Sequence, residues 1–196
     1  LFTFKQAEAG VYNLNTPLTY TGADYYPGSG IIKGSAFGTI YSLKTVAEYS
    51  IVYSDNSAYT MLQRYINKQQ LMAYAANLGC PNYANFDSNW PNVSAIDEAL
   101  WWAEIYNFAS TSEYGKQLYN AFLTATNPII KKALNGEHAV AHKSGSMSYY
   151  YHDAGIVHSD DPYLLVVLTH NPYNYSSKND SYFYPLAREI DKLINP

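Results

Sequence analysis

The 196-residue chain has a single cysteine, Cys80, so it can form no internal disulfide and no metal cluster built on several thiolates. Charged residues make up only 14% of it. No apolar run approaches the roughly 18 residues of a membrane-spanning helix, and the longest, Leu164 to Leu168, is the size of a strand. Basic residues are outnumbered 12 to 16, a net charge of −4. A chain without a basic footprint is poorly matched to nucleic acid, and none is expected as a partner. One further absence matters more. No lysine in the chain has a serine or threonine three residues before it.

What is present is tyrosine, 22 residues of it, which with Asn and Ser takes over the surface role usually filled by Lys and Glu. At 47% hydrophobic, the chain has ample material for a globular core. Residues 1–10 read as the last turns of a helix closed by Gly10 as its C′ residue, with no cap at the start. Position 1 is therefore expected to lie inside a longer protein. Residues 13–38 are rich in Gly, Pro, Thr and Tyr and read as loop. Ser42 can cap a helix to about Val52, Ser54 or Asp55 the next, and Gln69 to Leu78 a third that ends at Gly79.

Residues 80–93 form a loop, after which Ser94 and Asp97 make a near capping box for an apolar helix through Ala109. Ser112 to Ala125 and a short segment from Pro128 to Gly136 complete the helices. The period then changes: Val140–Ser146, Tyr150–His158 and Tyr163–Thr169 read as three strands joined by short turns. Tyr182–Ile194 closes the chain as an amphipathic helix. Helices followed by an antiparallel meander imply an α+β fold, with a mainly helical subdomain over 1–132 and a sheet subdomain with its C-terminal helix over 133–196.

Two short motifs carry chemistry. Ser54-Asp55-Asn56 opens a helix, and Lys143-Ser144-Gly145 lies in the first strand of the meander. Each alone is bland, a helix cap and a basic strand residue beside glycine. Together, with the His152-Asp153-Ala154-Gly155 strand that follows, they resemble the penicillin-recognising serine hydrolases of the class A β-lactamase-like and penicillin-binding-protein-like branch. The likeness runs from Leu1 through the C-terminal helix.

The resemblance implies an acyl-enzyme mechanism on β-lactams or D-alanyl-type peptides. Catalytic roles would fall to Ser54, a proton relay to the leaving nitrogen, to Asn56, an orienting amide, and to Lys143, a positive charge near Ser54 and the substrate carboxylate. Ser144 would bind the substrate carboxylate, Gly145 would let substrate lie close to the strand, and Ser146 would supply an oxyanion N–H. Asp55 is better placed to brace the loop than to react. The nucleophile of the family's S-x-x-K motif would precede Leu1, on the helix that residues 1–10 complete, so the 196 residues by themselves are expected to be inactive.

The first strands of the family's sheet would also precede Leu1, leaving an apolar edge at 163–169 to be covered by a dimer or by a separate N-terminal fragment. Class A β-lactamases carry a deacylating glutamate in the loop before the Ser94 helix, yet residues 80–93 contain only Asp87 as a carboxylate. An efficient β-lactamase is therefore not expected. The alternative is a catalytically silent homologue that binds peptidoglycan or a protein partner through the old cleft. The family, with the low charge, implies a place outside the bacterial membrane, at the cell surface or secreted. No cofactor or metal is expected: the five histidines cluster in the strand region, and no H-E-x-x-H motif occurs among them. Trp101 and Trp102 fit core packing better than sugar binding, and Cys80 lacks a histidine partner for a reactive thiol.

Overall fold

A computed structural model describes residues 1–80, 92–171 and 180–196. Helix α1 (Phe2–Glu8) buries Phe2, Phe4 and Ala7 and ends at Gly10, whose φ of 73° lets the chain reverse. Strands β1 (Pro17–Thr19) and β2 (Ile40–Ser42) then pair as an antiparallel ribbon inside the region read as loop. At three residues each they are too short to leave a period in the sequence.

Side-chain caps set the next helices. Ser42 accepts from Thr45 N at the start of α2 (Leu43–Val52), Asp55 from Ala58 N at α3 (Asn56–Tyr65), and Asn67 from Gln70 N at α4 (Lys68–Asn77). Ser94 and Asp97 form the expected capping box of α5 (Ala95–Thr111), with Asp in the place usually held by Glu. Ser112 accepts from two N–H groups to start α6 (Glu113–Leu123), and α7 (Ile129–Ala133) follows Pro128.

The meander forms with nearly the expected boundaries: β3 (Ala139–Met147), β4 (Tyr150–His158) and β5 (Tyr163–His170), in the order β3–β4–β5. Helix α8 (Asp180–Ile194) follows. Strand alternation divides the sheet between two cores. Ala141, Ala154 and Ile156 face the helices and pack with Leu43, Met61, Trp102 and Leu118. Val140, Val157, Leu165 and Val167 face the other way, against Ile130 of α7 and Phe183 and Ala187 of α8.

The sheet is thus covered on both faces, while β3 and β5 are its outer strands. Close contact between β3 and β4 depends on Gly155, where a Cβ would lie 2.1 Å from the Ala141 carbonyl oxygen. The consequence for function is one of placement. Lys143 projects toward the helices, and its neighbour His142 projects toward α7 and α8.

Candidate active site

Ser54 occupies the tight corner between α2 and α3 with φ of 50°, a left-handed conformation that costs a non-glycine residue on the order of 1 kcal/mol. Asp55 holds the corner. Its Oδ1 caps α3 at Ala58 N (2.9 Å), while Oδ2 accepts from Ile31 N (2.6 Å) and Ile32 N (2.8 Å). The side chain is fully buried, so its role is bracing, as its sequence context implied.

The 26–32 loop is fastened to the start of α3 at several further points. Asn56 Nδ2 donates to Pro27 O (2.7 Å), Asn56 N donates to Ser29 O (3.2 Å), and Tyr26 N donates to Ser57 Oγ (3.1 Å). Gly30 makes this close approach possible: its φ is 109°, and a Cβ there would fall 2.2 Å from the Asp55 carboxyl carbon. Farther along α3, Arg64 Nε donates to Asp24 Oδ1 (2.8 Å) and its NH2 group to Asp24 Oδ2 (3.0 Å). Burial alone would raise the Asp24 pKa, but the hydrogen bonds from Arg64 and Thr21 outweigh it and hold the carboxyl below its usual value.

Strand β3 brings the second motif to the first. Lys143 Nζ lies 2.7 Å from Ser54 Oγ and also donates to Ser144 O at 2.8 Å. Burial pushes the Lys143 pKa down to about 8, against the opposing influence of the Asp153 and Glu98 carboxylates. Near neutral pH the amine can therefore change its charge at small cost. When charged it donates to Ser54, and when neutral it can accept the Ser54 hydroxyl proton. Such an arrangement can move a proton to or from a group bound beside Ser54.

Beyond Lys143 the strand emerges from the core: Ser144 is half-buried, while Gly145 and Ser146 are exposed. β3 is an outer strand, and a Cβ on Gly145 would meet nothing within 4 Å, so an extended ligand has room along it. Ser54 and Lys143 are thus brought together by their side chains and Ser144 joins them through its backbone carbonyl, with Gly145 and Ser146 continuing the same edge. Asn56 commits one amide N–H to the loop and keeps its carbonyl oxygen for other partners.

The other candidates resolve structurally. Burial pushes the Cys80 thiol up to about 11 and its sulfur reaches the Asp97 carbonyl, the opposite of a nucleophile's surroundings. Trp102 is core, and Trp101 packs on Tyr74. The histidines have different partners: His138 faces Asp191, His142 faces Asp153, His152 accepts from Thr169 N, His158 bonds Tyr119, and His170 stacks on Tyr150, which also contacts the nearby His152 ring. Among the described residues no three metal-ligating groups converge. Asp87 and most of the 80–93 loop lie outside the described residues. What sequence reasoning missed is the clamp between loop 26–32 and α3. Its signal was the pair Gly28 and Gly30, each at positive φ, ahead of an aspartate at a helix start.

The model of the beta-lactamase enzyme family matches residues 1–192. Among solved structures, the chain resembles a β-lactamase from Sphaerobacter thermophilus DSM 20745 at a TM-score of 0.82 and 20% identity, covering 98% of this chain and 78% of that one. PBP-A, a variant of which is known as an acyl-enzyme complex with penicillin G, gives a TM-score of 0.79 at 20% identity over 96% of this chain and 76% of that one. The TLA-3 extended-spectrum β-lactamase gives 0.81 at 16% identity, over 98% and 80%. No curated protein matches. At such identities the structural likeness establishes the fold, and the family match establishes kinship: the chain belongs to the beta-lactamase enzyme family and has its β-lactamase-like serine-hydrolase fold.

Proposed function

We propose that this chain carries the proton-relay and carboxylate-binding part of a serine hydrolase that acts through an acyl-enzyme on β-lactams or D-alanyl-type peptides. The supporting observation is the 2.7 Å contact between Lys143 Nζ and Ser54 Oγ, across 89 residues of sequence, on a strand edge open to a ligand. In this reading the attacking hydroxyl belongs to an S-x-x-K motif outside the 196 residues, since no lysine within them has the required partner. Attack on the scissile carbonyl forms the acyl ester and frees the amine nitrogen, to which Ser54 passes a proton replenished through Lys143. Asn56 orients the substrate amide, Ser144 and the Lys143 charge receive the substrate carboxylate, Gly145 admits the substrate backbone, and the Ser146 N–H faces the developing oxyanion.

Residues 80–93 contain no glutamate to activate a deacylating water. A placed general base contributes about 10²–10⁴-fold, so the acyl-enzyme would turn over slowly, as in a penicillin-binding peptidase rather than an efficient β-lactamase. The substrate would then be a peptidoglycan peptide outside the bacterial membrane. The outer edge of β5 would be covered there by a second copy or by a separate N-terminal segment.

Intact-mass measurement after incubation with penicillin G tests the reading. The 196-residue chain should gain no adduct, and the chain extended upstream through an S-x-x-K motif should gain one penicillin and retain it. A stoichiometric adduct on the 196 residues alone would place the nucleophile inside them. An extended protein that binds peptidoglycan and never acylates would be a silent binder.

A further inference from the structure

One buried pair next to the site is not used by that mechanism. His142 and Asp153 side chains are 2% and 0% exposed. His142 Nδ1 lies 3.1 Å from Asp153 Oδ1, and its Nε2 lies 3.2 Å from the Ala125 carbonyl oxygen. Asp153 Oδ2 accepts from Ile129 N (3.0 Å) and Ile130 N (2.9 Å). Two backbone N–H groups thus donate to one oxygen of the carboxyl group, which favours the ionised form of Asp153. Both partners of the imidazole are acceptors, since a carbonyl oxygen and a carboxylate have no proton to give. A neutral ring would set one bare nitrogen against an acceptor in a buried space, an arrangement that proteins avoid.

We propose that His142 is a buried imidazolium that balances the charge of Asp153 and thereby sets the charge state of Lys143, acting on the site as a positioning residue. The topology supplies the link. His142 precedes Lys143 on β3 and points to the opposite face of the sheet, and Asp153 stands opposite Ser144 in the β3–β4 register. A carboxylate there favours the charged form of Lys143. Burial outweighs the upward pull of Asp153 on the Lys143 pKa, and an imidazolium paired with Asp153 offsets part of that pull.

The groups that bear on the pair from each packed element are few. Among the described residues they are Lys143 on β3, Asp153 on β4, the Ala125 carbonyl after α6 and the Ile129 and Ile130 N–H groups of α7, with Tyr151 on β4, bonded to Asp180 of α8, near Asp153 and Glu98 on α5 acting on Lys143. The consequence for proton transfer rests on the proposed function. The protonation state of His142 does not.

Two measurements test this, and neither depends on acylation. In ¹⁵N-histidine-labelled protein near neutral pH, both His142 nitrogens should carry directly bonded protons, and one bare nitrogen would overturn the proposal. This arm uses the unsubstituted chain, so it stands even if a variant fails to fold. In ¹⁵N-lysine-labelled protein, His142→Gln should raise the Lys143 titration midpoint and Asp153→Asn should lower it, each by about one pH unit. Shifts in the same direction, or none, would reduce the pair to a purely structural role and overturn the proposal. Absence of acylation in the upstream-extended protein, with these titrations as expected, would instead count against the proposed function.

Discussion

Lys143 Nζ rests 2.7 Å from Ser54 Oγ, although one residue sits in mid-strand and the other at a helix–helix corner 89 positions away. The contact joins the sheet to the helical layer, as the bond between Tyr119 and His158 does elsewhere. It also has costs on both sides, a left-handed backbone at Ser54 and a desolvated amine at Lys143.

The cost at Ser54 is separable from its contact. Ser54→Gly removes the backbone strain together with the acceptor of Lys143, two effects of similar size, and should leave stability within about 0.5 kcal/mol of the parent. Ser54→Ala keeps the strain and deprives Lys143 of an acceptor, and should lose about 1 kcal/mol. Chemical denaturation of both variants checks the order, and a Gly variant less stable than the Ala variant would contradict it.

The cost at Lys143 depends on pH. With its folded pKa lowered to about 8 from an unfolded value near 10.4, the amine penalises the folded state fully below pH 8. The penalty fades as pH rises through the window from 8 to 10.4, because there the unfolded chain binds more protons. Lys143→Met should therefore be more stable than the parent by about 1–2 kcal/mol at neutral pH, with the advantage shrinking toward pH 10. Urea titrations of both proteins across that range measure it.

Loop 26–32 holds its place because Gly30 has no side chain. Gly30→Ala combines a positive φ with a contact of 2.2 Å on Asp55 and should cost about 3 kcal/mol, releasing the loop from α3. Gly34→Ala, a few residues on, meets no atom within 4 Å and should stay within about 0.5 kcal/mol. Melting temperatures with amide exchange at Ile31 and Ile32 distinguish local release from global loss.

Asp24 confers an acid-sensitive anchor. Its folded pKa lies below the unfolded value of about 3.9, so its contribution is complete above that pH and is lost as pH falls further. Asp24→Ala should cost about 2 kcal/mol near neutral pH, since Arg64 and the Thr21 N–H lose their acceptor. The deficit should narrow below pH 4, which acid denaturation curves of parent and variant would reveal.

Much of the fold was legible beforehand because its determinants are local. Ser42, Asp55, Ser94 and Ser112 cap helices where their hydroxyl or carboxylate precedes an apolar period, and the three strands of the meander alternate cleanly enough to place their ends within a residue or two. β1 and β2 escaped notice because three residues leave no period, and they form only by pairing with each other.

By itself, the amino-acid sequence determined the family, through Ser54-Asp55-Asn56, Lys143-Ser144-Gly145 and the strand after them, and it determined the α+β order, because caps and periodicity act over a few residues. Only the tertiary structure decided that Lys143 meets Ser54, that Asp55 and Gly30 clamp the loop, and that His142 and Asp153 are buried together. These depend on strand register and on which face of the sheet meets the helices. What sets Lys143 apart is the water it has lost and the Ser54 hydroxyl it meets, and both are properties of the packed layers.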